Sequence, residues 1–160
     1  MPGWQALHNE IESLGATVVT VALDIDPALA KPWNDLVNST HPSLVDTLHI
    51  TNSLFGFTNI PMAAWIDEDG VLVRPAEGAS IERSPLRDME IPEGLPEQLN
   101  KMMHAVKAIP DDAEAYREAI LDWVRNGSSS QFALTPDEVI ARSQPRSDNE
   151  ARATACFELG

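Results

Sequence analysis

The chain has 160 residues, 43% of them hydrophobic and 22% charged, a balance that suits one globular domain with room for a small appendage and excludes wholesale disorder. A net charge of −14 argues against nucleic acid and anionic membranes as partners, because both would repel it. The single cysteine, Cys156, cannot form an internal disulfide, supply a dithiol or build a cysteine-rich zinc site.

No apolar run approaches the roughly 18 residues of a membrane span, and no basic segment followed by a hydrophobic one opens the chain. The expectation is therefore neither a membrane anchor nor a signal peptide in these residues, with the cytoplasm as the default compartment. Residues 4–14, WQALHNEIESL, set Trp4, Leu7, Ile11 and Leu14 on one helical face, and Gly15 stops the helix. ATVVTVALD follows, a β-branched run apolar at nearly every position, which suits a strand covered on both faces as in a parallel sheet. Helix, glycine and buried strand make the second half of a βαβ unit whose first strand would precede residue 4.

Asp26 and Pro27 open the next helix as cap and first residue, with Leu29, Trp33, Leu36 and Val37 on its inner side and Pro32 as a kink or a later start. SLVDT, Ser43 to Thr47, is a short strand. LHITNSLF is a short helix with Ile50 and Leu54 inward, closed by Gly56. Ile60 to Ile66 reads as an apolar strand, DEDG as a tight turn and VLVRP as the antiparallel return. After a loop rich in glycine, proline and charge (residues 75–94), Leu99, Met102, Met103, Val106 and Ile109 mark an amphipathic helix.

From Asp111 the pattern is helical only. Ala113, Tyr116, Ile120 and Trp123 share one face, Gly127 ends that helix, and TPDE (Thr135 to Glu138) and SDNE (Ser147 to Glu150) are capping boxes. The expected division is an α/β domain over residues 1–109 and an all-helical extension over 110–160. Ala153, Ala155 and Leu159 give the last helix a resemblance to the start of a tetratricopeptide-type repeat.

Taken together, the order helix, VVTVALD, helix, HPSLVD, helix, FGFTNIP, AAWIDEDGVLVRP resembles the thioredoxin-like redoxins over residues 4–109. Within them it is most similar to the TlpA-like thiol–disulfide oxidoreductases and the alkyl hydroperoxide reductase/thiol-specific antioxidant group. The resemblance implies a thioredoxin-like sheet flanked by helices and a cis Ile60–Pro61 bond. It also makes Ile60 and Pro61 the pair that cradles an extended substrate, with the N–H and C=O of Ile60 free to pair with an incoming strand. Met62 departs from the threonine usual after that proline.

The family's thiolate sits at the N-terminus of the first helix, where the free N–H groups and the helix dipole favour negative charge. Here that helix carries MPGWQALH, with neither cysteine nor serine. No catalytic residue is therefore assigned, Cys156 is expected to be a small buried hydrophobe, and the chain is expected to be redox-inactive. By the family pattern the central strand and its cysteine would lie upstream of Met1. The expectation is a shortened form, or a slot filled by something else, strand exchange between two copies included. The alternative function is a non-catalytic binding module that uses the cis-proline groove and the helical tail. Expected partners are thus an extended peptide or a protein thiol, and no cofactor or metal is expected. His41, Asp46 and His49 are read as surface or capping residues rather than metal ligands, and the four tryptophans as core, with Trp4 beside the groove.

Overall fold

A computed structural model describes residues 2–84, 87–143, 148, 149, 152 and 156. The described chain is mixed α/β. Helix α1 (Pro2–Ile11) runs through a 3-10 turn (Glu12–Leu14) to Gly15, whose φ of 87° lets its N–H close on the Glu12 carbonyl. Strand β1 (Thr20–Ala22) leads to helix α2 (Pro27–Val37), where the Asp26 carboxylate accepts the Ala28 N–H and Pro27 occupies the first turn. The helix runs through Pro32 without a later start.

Strand β2 (Ser43–Val45), helix α3 (Ile50–Phe55), strand β3 (Met62–Ile66) and strand β4 (Leu72–Gly78) follow. Helices α4 (Glu97–Ala108), α5 (Ala113–Asn126) and α6 (Pro136–Arg142) complete the order. The sequence places all of these within a few residues of where they form. Thr135 and Glu138 form the expected reciprocal capping box at α6. The second box, Ser147 to Glu150, and the repeat-like Ala153, Ala155 and Leu159 lie outside the described residues.

The strands make two separate pairs rather than one sheet. Strands β1 and β2 run parallel with Thr20 opposite Ser43, and β3 and β4 run antiparallel with Met62 opposite Gly78 and a bulged register near Trp65. The turn between β3 and β4 is the expected hairpin. Asp67 Oδ1 accepts the N–H groups of Asp69 and Val71, and Gly70 takes φ 79°.

One core dominates. Leu7 and Ile11 of α1, Val18, Trp65 of β3, Ala79, Ile81, and Tyr116, Ala119, Ile120 and Leu121 of α5 pack together. Trp65 donates its Nε1–H to the Tyr116 hydroxyl at 2.9 Å, stacks on Trp123 at 5.1 Å, and lies under the Arg74 guanidinium at 5.0 Å. Arg74 also grips Glu77 through two hydrogen bonds and donates to the Phe132 carbonyl, while the Leu134 N–H pairs with Val73 on β4. An ion pair between Arg117 and Glu10 ties α5 to α1. Helix α5 thus contributes Tyr116, Ala119, Ile120 and Leu121 to the same core as α1 and β3.

Several expected inner faces are outward. On α2, Leu29, Trp33 and Leu36 are exposed, and Ala30 is the buried contact. Trp33 is 68% exposed, so this tryptophan is not core, whereas Trp65 is buried and Trp4 and Trp123 pack against the core. Ile50 and Leu54 of α3, and Leu99 and Met102 of α4 with Ile109 at its end, are likewise exposed. Val19 is exposed, so the VVTVALD run is covered less than expected, and among the described residues β1 ladders on one side only. No helix among the described residues is long and apolar enough to cross a membrane.

Candidate functional site

The loop between α3 and β3 is the site that the sequence singles out. Helix α3 is seeded by Asp46, whose carboxylate accepts the N–H groups of Leu48 and Thr51 and the Thr51 hydroxyl. Those bonds, the Thr51 hydroxyl first, hold the Asp46 carboxyl down at about 2 from an ordinary 3.8. Gly56, at φ 72°, ends the helix by closing its N–H on the Asn52 carbonyl. The chain then turns with Phe55 stacked on Phe57, ring centroids 5.5 Å apart.

The next four residues are held by short-range bonds. The Met62 Sδ accepts the Thr58 N–H at 3.1 Å and the Asn59 N–H at 3.4 Å, with the Thr58 hydroxyl at 3.9 Å. Ile60 donates its N–H to the Asn59 side-chain oxygen at 2.8 Å. The Ile60–Pro61 peptide is cis, and the Pro61 carbonyl accepts the Ala79 N–H at 3.0 Å, fastening the loop to the end of β4. Ile60 is 75% exposed and Pro61 is exposed. The pair therefore stands at the surface, where an extended chain can reach it. The Ile60 N–H is already taken, however, and a strand adding here has to displace Asn59.

The start of α1 offers no nucleophile. Pro2, Gly3 and Trp4 occupy it, and Gly3 is buried beneath the Glu82 side chain, so a Cβ built on Gly3 would collide with the Glu82 carboxyl group. Cys156 is a free, exposed thiol, not the buried hydrophobe the sequence suggests.

The remaining candidates divide. Asp46 caps α3, and Asp26 caps α2, as their sequence positions suggest. His41 is buried rather than at the surface, with Nδ1 3.2 Å from the Pro42 carbonyl and its ring edge-on to His8 at 5.6 Å. His49 takes a left-handed conformation before α3. No cluster of three metal-ligating side chains occurs among the described residues.

Sequence reasoning missed the sulfur of Met62, Asn59 as a partner of Ile60, and the covering of Gly3 by Glu82. The departure from threonine at position 62 was the available signal for the first. The other two depend on loop closure, which no periodicity encodes. No family model matches the chain, and neither a curated protein nor a solved structure matches it.

Proposed function

We propose that the chain is a thioredoxin-like domain of the thiol–disulfide oxidoreductase or peroxide-reductase kind, without thiol chemistry of its own in these 160 residues. The observation that carries this reading is the interruption between the two strand pairs. Strands β1 with β2 and β3 with β4 form two separate pairs, as expected of a thioredoxin-like sheet without its central strand, and Val18, just before β1, shares one core with Trp65 of β3. The cis Ile60–Pro61 peptide directly before β3 is consistent with the same pattern. The chemistry is silent because a thiolate needs the helix N-terminus that Gly3 and Glu82 occupy.

Thiol–disulfide exchange with oxidised glutathione and consumption of hydrogen peroxide test the silence. Both rates should match those of Cys156→Ser. A turnover that survives Cys156→Ser, or one that exceeds a free thiol and disappears with it, refutes the reading.

A second reading, a peptide-binding module, is favoured by the exposure of Ile60 beside a β3 edge that carries no ladder bonds among the described residues. An extended chain would add to that edge by main-chain hydrogen bonds. Titration with an extended Val/Ile-rich peptide should shift the amide signals of Ile60 and Met62. Shifts confined to other surfaces count against it.

A further inference from the structure

The loop that carries Ile60 and Pro61 is held by a sulfur. Among the described residues, Met62 is the one methionine whose thioether accepts hydrogen bonds, and its donors converge from Thr58 and Asn59. Met89 and Met102 are exposed and carry no such bonds. A thioether is a soft, weak acceptor, whereas a sulfoxide is polar, chiral and presents its oxygen to donors. The Thr58 N–H is 3.1 Å from Sδ, so an oxygen bonded to that sulfur on the donor side would enter space the loop backbone now occupies. With its oxygen on that face, the oxidised side chain does not fit the present loop geometry.

We propose that Met62 is a redox-sensitive modification site, in which oxidation of its thioether by a hydroperoxide releases Thr58 and Asn59 and re-sets the Ile60–Pro61 edge. In the step, a sulfur lone pair attacks one peroxide oxygen. An S–O bond forms as the O–O bond breaks, and sulfur gives up two electrons. The attacked oxygen's proton passes to the departing oxygen, so a hydroperoxide leaves as an alcohol and hydrogen peroxide as water. The product is a sulfoxide, which methionine sulfoxide reductases return to the thioether. What the edge recognises rests on the function proposed above. The latch does not, because its readout is the loop itself and needs no partner.

The experiment treats the intact 160-residue chain with hydrogen peroxide. Peptide mass spectrometry locates the oxidised methionines, and amide NMR follows Thr58 and Asn59. Oxidation at Met62 should displace both amide signals and speed their hydrogen exchange by about fivefold or more, the loss of one modest hydrogen bond each. Methionine sulfoxide reductase should reverse the change. Met62→Leu, close in volume and without an acceptor, should show fast exchange before any peroxide is added and no further change after it. Oxidation at Met89 and Met102 serves as an internal control that leaves the loop unmoved. The proposal is overturned if Met62 becomes a sulfoxide while the two amides keep their shifts and exchange rates. It is also overturned if Met62 stays reduced after Met89 and Met102 are fully oxidised, or if Met62→Leu leaves the loop as in the wild type.

Discussion

The two strand pairs of this molecule live in different surroundings. Around β3 and β4 the central apolar residue, Trp65, is closed in, while Ile66 and Val71 at the hairpin end are exposed. Trp65 packs with Tyr116, Trp123 and Arg74, and residues of α1 and α5 share its core. Around β1 and β2 the larger apolar side chains face outward, with Leu44, Leu29, Trp33, Leu36, Ile50 and Leu54 all exposed. The same residue types in similarly periodic sequence thus meet opposite fates. Periodicity fixes which residues share a helix face, but whether that face is buried depends on a second layer being present to cover it.

The largest test of that contrast compares two tryptophans. Trp65→Ala removes a buried ring, its hydrogen bond and its stack, and should cost about 3–5 kcal/mol. Trp33→Ala, on the exposed face of α2, should change stability by no more than about 0.5 kcal/mol. Urea unfolding of both variants measures this. Equal losses would mean that the α2 face is covered in solution, and the contrast would fail.

A smaller effect sharpens the same core. Tyr116→Phe keeps the ring and removes the oxygen that accepts the Trp65 N–H, leaving a buried donor unpaired. The expected loss is about 1–3 kcal/mol in the same unfolding measurement. A loss near zero would place water, rather than Tyr116, on the indole.

The sequence made most of the architecture legible because local chemistry sets it. Asp26–Pro27 starts α2, Gly15, Gly56 and Gly127 end their helices, Asp67 to Gly70 turn the hairpin, and Thr135 with Glu138 caps α6. Burial was legible only in part. Tyr116 and Ile120 share the face expected of them, but their destination, the ring of Trp65 some fifty residues earlier, is a long-range contact that helical spacing does not specify. At the candidate site the sequence marked Ile60, Pro61 and the oddity of Met62. It could not show that the sulfur turns back onto Thr58 and Asn59, because a loop's internal bonds depend on its closure rather than on any repeat.

The two regions should also fail at opposite ends of the pH scale. Burial pushes the Tyr116 hydroxyl up to about 12 from an ordinary 10, outweighing the Trp65 hydrogen bond that works the other way. A raised folded value means that the contribution is whole below 10 and is lost as pH rises toward and through 12. Asp46 is the reverse case. Its carboxyl is depressed to about 2, so its hold on α3 is complete above 3.8 and is lost as pH falls through 2. Because Asp46 is a surface group, the expected change is local: the Leu48 and Thr51 amides move with a midpoint near 2 while the Trp65 indole signal stays fixed. Asp46→Asn, which has no carboxyl to titrate, should abolish that transition. A midpoint at the ordinary 3.8 would show that the Thr51 bonds do not persist in solution, and that α3 lacks the anchor which starts the candidate loop.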